Sequence, residues 1–190
     1  MDETLGIITN HNIKTMKKIL LLLITVTVTG CVDDSVKVTF DDDKSNAIRA
    51  HYQNYLNNDT DGLKELWSED LSIYLNETSA SGVDDIVAII KAQHASFDNI
   101  SMSFGDEELE MDNWIQTIDF PAIGENPGIT ITQTWFTWSA TGKTSGKSVE
   151  VPVHISFGWG ENNKIVQEWH NFDPAKIVAE IELTTSQSSE

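Results

Sequence analysis

Val149 to Asp173 reads V-E-V-P-V-H-I-S-F-G-W-G-E-N-N-K-I-V-Q-E-W-H-N-F-D, and its alternation decides the fold. Side chains two apart on a strand share a face. Val151, Val153, Ile155, Phe157 and Trp159 therefore lie together, with Pro152, His154, Ser156 and Gly158 opposite. Gly160 to Asn163 is a tight turn. Pairing Trp159 with Lys164 across it sends Val166, Glu168, His170 and Phe172 to the apolar side. A two-stranded ribbon with one apolar face needs a covering layer, and that layer must come from elsewhere in the chain.

The preceding sequence supplies it. Ser45 is a capping residue for a first helix, with Ile48, Tyr52, Tyr55 and Leu56 at helical spacing. Asn57 to Asp61 breaks that helix, and a short second one carries Leu63, Leu66 and Trp67. Leu71 to Leu75 alternates as a strand. Ser81-Gly-Val-Asp84 opens a third helix with the stripe Val83, Ile86, Val87, Ile90, His94 and Phe97. Beyond Ile100 the period becomes two, with strands over 100–111, 129–140, 149–159 and 164–173. The expectation is an α+β domain over residues 45–183, three N-terminal helices against a curved antiparallel sheet. Residues 105–128 are the least regular stretch. They hold Pro121, Pro127 and the acidic run Asp106 to Glu110, and their second half is a candidate lid. Residues 184–190 are polar and read as a flexible tail.

Two segments carry a family likeness: N-N-D-T-D-G-L-K-E-L-W-S-E-D-L-S-I-Y from Asn57 to Tyr74, and N-K-I-V-Q-E-W-H-N-F-D from Asn163 to Asp173. Together with the order of elements they resemble the SnoaL-like family of the nuclear transport factor 2-like superfamily. The resemblance implies a cone in which a bent sheet wraps a long helix around a deep pocket. It also implies dimers formed through the outer face of the sheet. Ketosteroid isomerase-like members place an oxyanion-binding Tyr where Tyr52 stands. Their two acidic residues are replaced here by Leu75 and Ile155, which move no proton. Polyketide cyclases of the family use a sheet His and an Asp on the final strand. The Asp position is His170 here, and His154 is near the other but on the outer face. One fold hosts isomerases, cyclases, dehydratases and binding proteins, so the site decides the function.

The expected pocket residues are Val153, Ile155, Phe157 and Phe172. Glu168 and His170 project to the same side, where a carboxylate favours a neighbouring imidazolium. With Tyr52 opposite, they form the candidate catalytic set for proton transfer in an isomerase, cyclase or dehydratase. The plainer alternative makes His170 a hydrogen-bonded pocket-wall residue. The favoured function is binding of a small, partly apolar molecule. A dimeric accessory module is the third alternative. His94 reads as a core histidine donating to a carbonyl, and His51 as a rim or surface residue. No third ligand joins Glu168 and His170 at a recognisable metal spacing, and no cofactor motif appears, so none of either is expected. Six tryptophans are many for this length, and Trp135 and Trp138 fall on opposite faces. Some of them suit an outer apolar patch that a homodimer would bury.

Upstream lies an address. Met16 to Cys31 reads M-K-K-I-L-L-L-L-I-T-V-T-V-T-G-C. Lys17 and Lys18 precede an apolar run, Ile19 to Val28, roughly half as long as a membrane-spanning helix. Small residues then lead into the single cysteine. The pattern resembles the bacterial lipobox, which implies a signal peptide over residues 16–30 and a lipid on Cys31. Residues 1–15 read as a start-site extension and 31–44 as an acidic tether. Asp33 and Asp34 resemble a surface-export tether of Bacteroidetes lipoproteins. The expected location is the cell envelope, anchored by lipid at the outer membrane. A net charge of −18 opposes phosphate backbones, so nucleic acid is excluded as a partner. The single cysteine allows no intramolecular disulfide. Cys31→Ser is expected to move the protein from the membrane to the soluble fraction; membrane association that persists in this variant contradicts the anchor.

Overall fold

The computed structural model describes residues 35–103 and 114–187. Cys31, the signal segment, residues 1–15, the run Asp106 to Glu110 and the last three residues lie outside the described residues. The elements are β1 (Lys37–Thr39), α1 (Asp43–Leu56), α2 (Thr60–Lys64), β2 (Trp67–Leu75), α3 (Val83–Ser96) and β3 (Phe97–Ser103), then β4 (Trp114–Phe120), β5 (Ile129–Gly142), β6 (Ser148–Trp159), β7 (Ile165–Asn171) and α4 (Ala175–Gln187). The sheet runs β1-β4-β5-β6-β7-β2 and does not close on itself. β3 joins it by pairing with β5. One edge of β5 is thus shared: residues 129–135 hold β4, and 137–142 hold β3. All pairings are antiparallel except β2 with β7.

Helix α1 docks its apolar stripe on β4 and β5. Its cap is Asp42, whose carboxylate accepts from the backbone N–H of Lys44 and Ser45, at 2.8 and 3.1 Å. Burial pushes that carboxyl up, but the bonds from Thr39, Ser45 and Lys44 outweigh it and hold the pKa at about 2. The sequence reading gives the cap to Ser45. In the structure Ser45 is inside the helix and fully buried, at the head of a chain of hydroxyls. Its Oγ lies 2.8 Å from Thr117 Oγ1, which lies 2.9 Å from Thr132 Oγ1. Trp159 Nε1 donates to Thr132 at 2.8 Å. This chain ties α1 to three strands without leaving a buried hydroxyl unpaired.

The closing hairpin departs from simple pairing in two places. Asn162 and Asn163 adopt left-handed φ values of 58° and 55° in the turn, and Trp159 pairs with Ile165 rather than Lys164. Val166 then bulges, so Gly158 faces Gln167, Phe157 faces Glu168 and Ile155 faces His170. Ile165 takes the core position assigned to Val166 in sequence and is fully buried. The two one-residue changes cancel in parity, so Glu168 and His170 keep the inner face.

Five segments differ from their sequence reading. Phe97, read as the end of the third helix's stripe, instead opens β3. Trp67 begins β2 rather than ending a helix, because its indole packs inward at 6% exposure. Lys37–Thr39, inside the supposed tether, pairs with β4. The candidate lid begins as strand β4: Ile115 and Thr117 point into the core, and the prolines only bound its exit. Past Asp173, where no element is assigned from sequence, α4 extends through Gln187, inside the supposed tail. Its Ile177 and Ile181 pack on the core at a spacing of four. No helix among the described residues is long and apolar enough to cross a membrane.

Helix α4 is anchored by Glu180, 5% exposed. Its carboxylate accepts from the backbone N–H of Thr144 and Ser145, at 2.8 and 3.1 Å. A Cβ on Gly142 would stand 2.4 Å from that carboxyl group. Gly142→Ala is expected to displace Glu180 and destabilise the fold by roughly 1–3 kcal/mol in thermal or chemical melts. In a Glu180→Ala background the same substitution should cost far less; equal costs in both backgrounds contradict the anchoring role.

Candidate functional site

A partly open cavity of about 350 Å³ lies between the concave face of the sheet and helices α1, α3 and α4. Val153, Ile155, Phe157 and Phe172 line it, as do His51, Tyr52, Glu168 and His170. Leu75 lines it too, so the two positions where isomerase-like members carry acids present hydrocarbon. Helix α4 contributes Ile177, Val178 and Ile181.

Glu168 is the deepest charge, 2% exposed. Trp67 Nε1 donates to one carboxylate oxygen at 2.6 Å, and His170 Nε2 donates to the other at 2.7 Å. Burial alone would raise its pKa. The hydrogen bond and charge of His170, the charge of His51 and the Trp67 bond overcome that and hold it below the usual carboxylate range. In a neutral His170 this bond keeps the ring proton on Nε2 and leaves Nδ1 as the basic nitrogen.

Tyr52 is brought to the same cavity, but its hydroxyl is engaged. It lies 2.7 Å from Thr134 Oγ1, and Thr134 Oγ1 donates to the Ile155 carbonyl at 3.3 Å. Thr134 has one proton, so Tyr52 donates to Thr134. Burial pushes the Tyr52 phenol well above its ordinary pKa, so it stays protonated. Tyr55 is likewise occupied, accepting from Trp138 Nε1 at 2.8 Å and donating to Gln93 at 2.9 Å. His94 Nε2 lies 2.8 Å from the Tyr55 carbonyl. His154 is on the outer face, stacked 4.7 Å from Trp135. On that face Tyr74 also stacks on Trp169. Among the described residues no group of three His, Cys, Asp or Glu side chains is placed to hold a metal.

His51 corrects the sequence reading most. It is no rim residue: it is 6% exposed, edge-on to Trp67 and Phe157 at 5.3 and 6.3 Å. Its Nδ1 is buried without a hydrogen-bond partner. The signal was present in the sequence, since Ile48, His51, Tyr52 and Tyr55 sit at i, i+3, i+4 and i+7, the inward stripe of α1. Trp67 also escaped notice as a polar partner, because a helical Trp67 would not reach β7.

No protein-family model matches this chain, and no curated protein matches it significantly. Solved structures do. One is a protein of unknown function described as NTF2-like (nuclear transport factor 2-like), from Burkholderia pseudomallei: 15% identity over 74% of this chain and 98% of that one, TM-score 0.50. The fold is NTF2-like. A SnoaL-like polyketide cyclase from Agrobacterium tumefaciens matches as well, at 11% identity, covering 74% of this chain and 99% of that one, TM-score 0.50. AclR, a candidate hydroxylase from Streptomyces galilaeus, does so at 14%, covering 73% and 80%, TM-score 0.54. At these identities the likeness extends to the NTF2-like fold and no further.

Burial pushes the His51 pKa from 6.5 to about 4. Between those values the unfolded chain binds a proton that the folded chain refuses. Stability is therefore complete above about pH 6.5, declines as pH falls through the window, and loses roughly 3 kcal/mol by pH 4 from this residue. Glu168, held below its ordinary 4.5, adds a loss that begins as pH falls through that value. Urea unfolding at pH 7 and pH 4.5 should show the decline in wild type and a much flatter profile in His51→Phe. Parallel profiles would show that His51 is solvated in the folded state.

Proposed function

We propose that this protein holds a small, mainly apolar molecule in its NTF2-like cavity, at the bacterial envelope, through a lipid on Cys31. The observation that carries the reading is the cavity itself. Its volume falls in the range of small-molecule sites, roughly 300–1,000 Å³, and its walls are hydrocarbon with a few convergent polar groups. The lipobox-like segment supports the location.

A proton-transfer enzyme is the second reading, favoured by the Glu168–His170 pair. His170 Nδ1 would accept a proton from a hydroxyl, or from carbon beside a carbonyl, and return it elsewhere on the same molecule. Glu168 would hold the ring and stabilise the imidazolium formed, a step that contributes about 10²- to 10⁴-fold to a rate. Tyr52 joins only by giving up Thr134, so the pair stands as the chemical centre. A homodimer through the outer face is supported by the Tyr74–Trp169 and Trp135–His154 stacks.

The test is extraction. Protein purified from native membranes is denatured, extracted with solvent and read by mass spectrometry. The expected result is one enriched compound of a few hundred daltons near one per chain, absent from a folded Val153→Trp variant whose cavity is filled. Identical extracts from both proteins contradict the binding reading. On the compound identified, conversion by wild type that falls at least about 100-fold in His170→Ala supports the enzyme reading. Unchanged conversion in that variant removes it.

A further inference from the structure

Two buried side-chain polar atoms among the described residues lack a hydrogen-bond partner, His51 Nδ1 and His154 Nε2. His154 belongs to the outer face, against Trp135. His51 belongs to the cavity wall and is more than nine-tenths buried. An unpaired buried polar atom destabilises the fold that contains it, and such exceptions in native proteins call for an explanation. Packing supplies none. An aromatic or branched hydrocarbon would fill the space beside Trp67 and Phe157 without that cost. The other buried polar groups of the wall have already found one another: Tyr52 with Thr134, Tyr55 with Gln93 and Trp138, Glu168 with Trp67 and His170.

We propose that His51 Nδ1, a buried atom that water does not reach, is brought to the ligand's polar atom by a turn of the wall imidazole and anchors it there, and that the ligand is a neutral, mainly apolar alcohol or phenol. The proposal rests on the cavity-binding reading above and names its ligand class. Three features of the wall select that class. The hydrocarbon lining disfavours any charged group that brings no partner with it. Glu168 shares the cavity wall with His51 and its charge repels an anion, while both its oxygens are bonded and leave a cation little to gain. A hydroxyl both donates and accepts, so it satisfies Nδ1 in either tautomer of a neutral ring; a carbonyl satisfies only one. The aromatic edges of Trp67 and Phe157 beside the ring place the apolar body of the ligand next to its hydroxyl.

A matched pair of probes tests this: 2-naphthol and naphthalene, which differ by one hydroxyl. Their affinities for the full chain are measured by equilibrium dialysis, in wild type and in His51→Phe. Comparing the ratio of the two affinities between proteins cancels any partitioning into the micelles that carry the chain. The expected result is a naphthol-to-naphthalene ratio about tenfold higher in wild type than in the variant, the worth of one good hydrogen bond. Naphthalene itself should bind both proteins. Equal ratios in the two proteins overturn the anchor and leave the cavity reading intact. Failure of both probes to bind wild type overturns the cavity reading as well. Should His51→Phe not fold, His51→Leu replaces it, and ring-nitrogen NMR of wild type gives a second readout. The Nδ1 resonance of His51 must then move with 2-naphthol and stay with naphthalene; a resonance that ignores both, while 2-naphthol is bound, overturns the proposal.

Discussion

The Glu168 carboxylate, clamped between Trp67 Nε1 and His170 Nε2, is the constraint on which the rest depends. A carboxylate at 2% exposure is tolerable only with its charge compensated and its oxygens bonded. Trp67 is the first residue of β2, and Glu168 and His170 lie on β7, so the clamp joins the one parallel pair among the described residues. It does so where the register of that pair slips, between Trp67 and Ser72. The Val166 bulge is what turns Glu168 toward the clamp. Without it the carboxylate would face outward, and the cavity wall would lose its buried acid.

From the clamp the cavity follows. Polar groups around it pair with each other, which leaves hydrocarbon as the surface a ligand meets. The hydroxyl chain from Ser45 to Trp159 fixes α1 at one end, and Glu180 fixes α4 at the other. The hollow is thus framed by specific bonds rather than filled by side chains. Large cavities cost stability; an unpaired His51 Nδ1 adds to that cost. Both are expenses that selection tolerates at a site with a use.

The sequence was most legible where one face is buried. Alternation from Val151 to Trp159 settled the inner face, because a one-residue slip would bury Pro152 and His154 instead. It also named the side on which Glu168 and His170 lie, although the pairing behind that reading was two residues off. What it missed has physical reasons. Strand β4 hides its period because one inward position is Thr117, whose hydroxyl is satisfied only by Ser45 and Thr132, far away in sequence. Helix α4 hides because its anchor is a hairpin thirty-odd residues earlier. His51 reads as a rim residue when the stripe is drawn through Ile48, Tyr52, Tyr55 and Leu56 alone. Its helical phase with Ile48 and Tyr55 was the better guide. Tyr52 was legible as a position but not as a donor, since Thr134, which accepts its hydrogen bond, lies on β5, far away in sequence.

The clamp can be seen directly by NMR. In protein with ¹⁵N-labelled Trp and His side chains, the Trp67 indole N–H and the His170 Nε2–H both donate hydrogen bonds to one carboxylate. Replacing the acceptor's charge, by Glu168→Gln, is predicted to shift both resonances upfield together at neutral pH while the outer-face Trp169 indole stays in place. Trp67 and His170 signals that remain where they were would contradict the account at its centre.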